Sequence, residues 1–272
     1  MTKEERFAFG KNWQSFLAEL DEDRIEQAVF SLQQLLGLQT LEGKRFMDLG
    51  CGSGLFSLAA QRLGAEVISI DYDTFSVACS EELRDRFGSK SPKWNIKQGS
   101  VLDPVLMQSL GCADVVYSWG VLHHTGAMDK AIVNAAERTK PSGLFCMAIY
   151  NDQGGGSRRW LRIKKIYNAI PSWLRFFWVL AVAGIYECKF ALARLVRFRN
   201  PMPFRDWQAK RKDRGMSAWH DWVDWIGGLP FEVAKPELIV VPLRQRGFVL
   251  ENMKTVGSGW GCNEYVFSKS QD

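Results

Sequence analysis

Three histidines are the side chains here whose ordinary pKa lets them take up a proton near neutral pH, and they fall in two places. His123 and His124 are adjacent, just after the apolar run Asp114-Val115-Val116-Tyr117-Ser118. His220 lies in Trp219-His220-Asp221-Trp222-Val223-Asp224-Trp225, among two acids and three tryptophans. A neutral imidazole can serve as general base towards an alcohol or phenol, and small-molecule pockets combine apolar walls with a few polar groups. His124, His220, His123 and Asp221 are therefore the candidate catalytic residues. A packing role is equally open, with one ring of the His123–His124 pair buried behind a ligand and His220 a polar residue on a helix.

A second constellation could hold a ligand. Asp48-Leu49-Gly50-Cys51-Gly52-Ser53-Gly54 joins an apolar strand to three glycines at alternate positions. Such glycines let the backbone turn tightly and present its amides to a ligand that no Cβ holds away. Dinucleotide folds would place the third glycine at position 55, but that residue is Leu55 and the third glycine is Gly54. Val67-Ile68-Ser69-Ile70-Asp71 follows, a strand ending in a carboxylate placed to accept from both hydroxyls of a ribose. The alternative for Asp71 is a helix cap, a role for which Thr74 also qualifies.

The D-x-G-x-G-x-G form resembles the first motif of the Rossmann-like S-adenosylmethionine-dependent methyltransferases. Four segments carry the likeness in order over about residues 44–152: Phe46–Gly54, Val67–Asp71, Gly99–Asp103 and Asp114–Thr125. The resemblance implies an α/β fold, a doubly wound, mostly parallel seven-stranded sheet. It also implies S-adenosylmethionine as cofactor, held by Asp48, Gly50, Cys51, Gly52, Gly54, Asp71, Tyr72, Ser118 and Trp119. Ser100 and Val101 would border the adenine, since Asp103 with Pro104 reads as N-cap and N1 of a helix. Near the start, Phe7-Ala8-Phe9-Gly10-Lys11-Asn12-Trp13 either packs on the domain or forms a lid. In the lid reading Trp13 covers the cofactor, and Lys11 or Asn12 meets its carboxylate.

Periodicity supplies the elements that would position these groups. An amphipathic helix is expected over 12–36, stopped by Gly37. Strands are expected at 45–50, 66–71, 94–98, 113–118 and 144–150, alternating with helices at 53–63, 74–87, 103–110 and 127–139. Alternation of this kind predicts a parallel sheet covered on both faces, with ligands at the C-terminal strand ends. The chain divides into an N-terminal cap (1–43), the cofactor-binding core (44–152), a helical insertion (153–235) and a return to the sheet (236–272) that ends in two antiparallel strands. Gly154-Gly155-Gly156 would hinge the insertion as a lid.

Charge is unevenly spread. The net charge is +5, yet residues 151–214 hold fifteen Lys/Arg and four Asp/Glu, with eleven aromatics. A basic, aromatic segment on an otherwise acidic chain suggests an anionic partner: a charged acceptor, a membrane surface or nucleic acid. Within it, Phe176–Tyr186 is eleven charge-free residues, read as too short to span a bilayer. The region 173–199 is either buried in a core or homo-oligomer interface, or is an interfacial membrane helix flanked by Arg158, Arg159, Arg162, Lys164, Lys165, Arg194, Arg197 and Arg199. The six cysteines show no C-x-x-C pairing and no signal peptide is evident. Reduced thiols, no metal and a cytoplasmic protein, peripheral at most to the inner membrane face, are expected.

Among function classes, the resemblance favours a methyltransferase acting on a small organic acceptor at oxygen, similar to the bacterial group that includes the ubiquinone-pathway O-methyltransferases. A tRNA or rRNA methyltransferase gripping with the insertion is the alternative. Nucleic acid is the less favoured partner, because the aromatics form an apolar run instead of interleaving with Lys/Arg. A non-catalytic cofactor-binding regulator is the third class.

Overall fold

Strands that read as unbroken apolar runs are those buried on both faces, and they form the centre of the sheet. The computed structural model describes Leu17, residues 20–198, Asn200, Met202 and residues 218–271. Lys11, Asn12 and Trp13 lie outside the described residues. Seven strands are present: β1 Arg45–Leu49, β2 Glu66–Asp71, β3 Trp94–Gln98, β4 Ala113–Trp119, β5 Thr139–Tyr150, β6 Phe248–Lys254 and β7 Cys262–Lys269. Their order across the sheet is β3-β2-β1-β4-β5-β7-β6. The first five run parallel, while β7 pairs antiparallel with both β5 and β6. This is the doubly wound, mostly parallel sheet expected.

Side-chain parity sorts the core. Phe46, Val67, Val115 and Tyr117 pack on one face of the sheet, and Met47, Leu49, Ile68, Ile70 and Val116 on the other. Helices α1 Glu22–Leu36, α2 Leu55–Arg62 and α3 Thr74–Phe87 supply Leu32, Leu58 and Leu83 to the first face. Helices α4 Pro104–Ser109, α5 Met128–Ala136 and, after the insertion, Pro236–Arg244 cover the second with Met107, Ala131 and Ile239. The helix expected over 12–36 is present as Glu22–Leu36, with Leu17 also helical and a break at Leu20 and Asp21; residues 12–16, 18 and 19 lie outside the described residues. Asp21 is extended (φ −124°, ψ 173°), and its side chain accepts from the Arg24 amide, which makes it an N-cap. The last parallel strand, expected from residue 144, starts at Thr139, and Pro141-Ser142-Gly143 falls inside β5 as an irregular stretch, where the β4 register shifts between Ala113 and Val115.

The described chain forms two compact units that divide at Gly154/Gly155 and Leu229/Pro230. The sheet unit therefore resumes at Pro230, ahead of the return read at Pro236. The other unit contains α6 Gly155–Ala169, α7 Ser172–Val196 and α8 Ala218–Gly227; Pro236–Arg244 is α9. Its packing centres on Trp160, stacked on Tyr186 (centroids 4.9 Å apart) and edge-on to Trp225 (5.6 Å). Two readings of this region are corrected. Lys164 does not belong to an exposed basic face: it is 1% exposed, and its ammonium donates to the Trp225 carbonyl. The eleven charge-free residues do not limit the element: they lie within α7, which runs unbroken for 25 and is long and apolar enough to cross a membrane by length and composition. Single charges such as Glu187 and Lys189 do not end a helix.

Candidate active site

In the order β2-β1-β4, chain direction of assembly reverses between β1 and β4, so the loops after these strands open the crevice where such sheets bind ligands. The two loops meet closely. A Cβ on Gly50 would lie 2.3 Å from a Val121 methyl carbon, and its φ of +83° also excludes a side chain. The loop after β1 is fastened to the end of β2, for the Gly50 and Cys51 amides both donate to the Ile70 carbonyl (2.7 and 3.1 Å). Gly54 closes the turn by donating to the Cys51 carbonyl (2.8 Å).

Asp71 braces this loop. Its Oδ2 accepts from the Gly52 amide and its Oδ1 from the Asp73 amide, each at 2.9 Å. It does not cap α3. That role belongs to Asp73, whose carboxylate accepts from the Phe75 amide, and not to Thr74. A carboxylate offers about four acceptor positions, so one that orders a glycine loop is also suited to a vicinal diol. Gly50–Gly54 and Asp71 thus fit a nucleoside cofactor of the S-adenosylmethionine type. Tyr72, beside Asp71, is 45% exposed.

Other predicted contacts resolve differently. Asp48 shares parity with Phe46, so its side chain faces α2 and is buried. Ser57 Oγ donates to Asp48 Oδ2 (2.6 Å), and Trp94 Nε1 donates to Ser69 Oγ (2.7 Å). The remaining contact, Ser69 to Ser57 (2.6 Å), must then run from the Ser69 hydroxyl to Ser57. A directed chain Trp94→Ser69→Ser57→Asp48 therefore lies beneath the loop. Burial pushes the Asp48 carboxyl up to about 7, against the pull of the Ser57 hydroxyl and helped by the charge of Asp71. Asp48 is thus buried and engaged by Ser57 from the α2 side. Ser118 is likewise withdrawn: it is fully buried, and its hydroxyl donates to the Leu49 carbonyl (2.7 Å), tying β4 to β1. Trp119 stacks on Tyr117 (5.4 Å, 3°) in the core. Cys51 turns towards Ser80 (Sγ to Oγ 3.3 Å), and burial raises its thiol pKa well above the ordinary value. Ser100 accepts from the Leu102 amide, Val101 is buried, and Asp103 caps α4 through the Val105 and Leu106 amides, as read from the sequence.

The loop after β4 brings the two histidines together with groups that the sequence did not reveal. Leu122–His124 is a 3-10 turn. His123 is buried, its ring 4.4 Å from His124 and 4.0 Å from Tyr150 at the end of β5. His124 is half-buried, and its Nδ1 lies 2.6 Å from the Pro230 carbonyl oxygen. A carbonyl only accepts, so Nδ1 carries the proton, and in the neutral ring Nε2 holds the lone pair.

Residues 230–234 form a strap across these strand ends. The Glu232 amide donates to the His123 carbonyl (3.0 Å), and both Glu232 carboxylate oxygens accept from the Met128 amide (3.2 Å). Ala234 donates to the Tyr150 carbonyl (3.0 Å) and accepts from the Asp152 amide (3.1 Å). Phe231 packs 5.5 Å from Tyr150. Pro230 and Glu232 are thus site-forming residues that sequence reasoning assigned to the insertion. No local pattern marks contacts made across a hundred residues of chain. His220 and Asp221 lie on α8 in the other unit, and their side chains are outside the described residues.

Comparison with known proteins bears on the family and the fold. Residues 41–175 match the family model described as a methyltransferase domain. The chain is 27% identical over 113 residues to a ubiquinone biosynthesis O-methyltransferase of Sinorhizobium fredii (42% of this chain). It is 30% identical over 117 residues to the protein of that name in Maricaulis maris (43% of this chain). In both cases the match spans 44% of the relative's length, so it covers less than half of these relatives. The magnesium protoporphyrin IX methyltransferase of Synechocystis, solved with bound S-adenosylhomocysteine, shares the fold with a TM-score of 0.55 and 15% identity, covering 96% of this chain and 95% of that one.

Proposed function

We propose that this chain, a Rossmann-like S-adenosylmethionine-dependent methyltransferase whose residues 41–175 match a methyltransferase domain, methylates a hydroxyl oxygen of a small organic acceptor in the cytoplasm. The observation that carries the oxygen assignment is the His124–Pro230 hydrogen bond. It fixes the tautomer in which His124 Nε2 can accept a proton.

When bound, the cofactor supplies a methyl group already activated by its sulfonium. The Gly50–Gly54 turn and the Asp71 carboxylate would hold its nucleoside end. An alcohol or phenol must lose its proton as its oxygen gains the methyl group, and His124 Nε2 takes that proton. Tyr150 lies edge-on to the ring and is backed by Phe231, and His123 packs against the ring. The ubiquinone biosynthesis O-methyltransferases that resemble the core support oxygen as the nucleophile.

The test is transfer of label from methyl-labelled S-adenosylmethionine to fractions of a cell extract, followed by identification of the labelled compound. A labelled ether supports the proposal, and a labelled methyl ester, formed from a carboxylate that needs no base, overturns it. Label in RNA, or on nitrogen or carbon of the acceptor, overturns it.

A further inference from the structure

The helix α7 has two sides of different character. Its buried positions, Val179, Val182, Ala183 and Tyr186, form a stripe only two turns long. That stripe rests on neighbours of its own unit: Tyr186 stacks on Trp160 of α6 and on Trp222 of α8, and Trp222 Nε1 donates to Glu187 (3.2 Å). The opposite side is apolar and open to water over the whole helix. Trp173 is 69% exposed, Phe177 60%, Leu180 53%, Leu192 62% and Leu195 53%. At 100° per residue these side chains share one broad face, with Lys189 and Arg194 at its two borders. About 37 Å of helix thus shows water a tryptophan, phenylalanines and leucines, far more than isolated surface apolar residues account for.

Charge selects the occupant. Residues 155–200 hold ten Lys/Arg and a single acid, Glu187, which is engaged by Trp222. Arg158, Arg159, Arg162 and Lys165 of α6 are exposed. A second copy would bring two strongly basic units together across a symmetric contact. A single-stranded nucleic acid needs aromatic platforms set among the cations, whereas here the aromatics lie on an uncharged ridge. A helix spanning the bilayer would have to break the Trp160–Tyr186 stack or draw the arginines of α6 into hydrocarbon. An anionic bilayer surface meets both features: the apolar face enters the headgroup–acyl boundary, and the basic residues approach lipid phosphates. Trp173 at the helix start suits the headgroup level.

We propose that Ser172–Val196 is a membrane-docking helix that lies in the surface of an anionic bilayer on its Trp173–Phe177–Leu180–Leu195 face. The docking does not depend on which acceptor is methylated. It is tested by sedimenting the full chain with phosphatidylcholine vesicles that contain or lack phosphatidylglycerol, at low and high salt. Binding to the anionic vesicles at least about tenfold tighter than to neutral ones, and weakened by salt, is expected. The double variant Phe177→Glu/Leu180→Glu should abolish binding while retaining cofactor affinity and the circular dichroism of the wild type. Phe30→Glu, which alters an exposed phenylalanine on α1, should leave it intact. If the double variant does not fold, Trp173→Ser with Leu195→Ser provides the same comparison. Absence of binding to anionic vesicles at low salt overturns the proposal, as does binding that the double variant retains. Resistance of the bound protein to alkaline extraction overturns it in favour of a spanning helix. A dimer that the double variant converts to monomer, with no vesicle binding by the wild type, overturns it in favour of a second copy.

Discussion

His124 and Pro230 are 106 positions apart in sequence, yet the imidazole Nδ1 sits 2.6 Å from the proline carbonyl. The contact does for this ring what a carboxylate does for the imidazoles of catalytic triads: it fixes the tautomer and aims the opposite nitrogen. It is made by a strap that also holds the backbone of His123 and the ends of β5 and α5.

If Nε2 of His124 is the base, its loss should appear in turnover and not in cofactor binding. His124→Ala is expected to lower kcat by about a hundredfold or more, at the low end for a general base. The acid limb of the rate profile, where protonation of Nε2 removes its lone pair, should vanish in the same variant. Cofactor affinity measured by calorimetry should stay near wild type. Turnover within severalfold of wild type, with an unchanged pH profile, would direct the search for a base to Tyr150 or Asp152.

Glu232 acts one step further away. Both of its oxygens accept from Met128, the first residue of α5, whose N-cap Ala127 has no side-chain acceptor to offer. Glu232→Ala should therefore cost about 1 kcal/mol of stability in urea unfolding, the usual effect of losing a helix cap. Because the same residue anchors the strap that carries Pro230, kcat should fall as well, with the Kd for cofactor unchanged. Glu232→Gln keeps one acceptor oxygen and should recover most of the stability. A stable variant with wild-type turnover would separate the strap from catalysis.

Asp71 orders Gly52 through one carboxylate oxygen, and the proposed function gives it a second task, accepting from a ribose. Asp71→Ala should weaken cofactor binding by about 2–3 kcal/mol, the worth of a hydrogen-bonding pair to a charged acceptor. The chain should remain folded, since the sheet core does not include this residue. Calorimetry on the variant with S-adenosylhomocysteine decides it, and wild-type affinity would remove Asp71 from the site.

These sites differ in how far they could be read from sequence. The glycine turn and Asp71 are local features, an apolar run punctuated by residues that permit positive φ, and they were legible. So, in retrospect, was the inward aim of Asp48, since it shares parity with Phe46 in a strand whose faces alternate. The start of α1 was also written locally, in an Asp followed by two acids, but the apolar spacing upstream overrode it. The length of α7 was missed because the stretch was bounded by the charges at Arg175 and Glu187, although single charges on a helix are compatible with its continuing. The strap could not be read at all: Pro230 and Glu232 acquire meaning only when the fold brings them to the β4 loop.

The buried Asp48 gives stability a pH dependence of predictable sign. Its carboxyl is raised from the ordinary 3.8 to about 7 because burial disfavours the charged form. Between these values the folded chain holds a proton that the unfolded chain has released. Stability from this group is thus complete below the unfolded pKa and is lost as pH rises through the folded one. The full effect, taken at about 1.4 kcal/mol per pH unit, is on the order of 4 kcal/mol as an upper bound, because relaxation around a buried charge lessens it. Asp48→Asn keeps an oxygen to accept from Ser57 and cannot ionise. Its unfolding midpoint in urea should therefore change less than that of wild type between about pH 5 and 8. Equal slopes for the two proteins would mean that Asp48 is ionised in the fold throughout, stabilised by something other than the Ser57 hydroxyl.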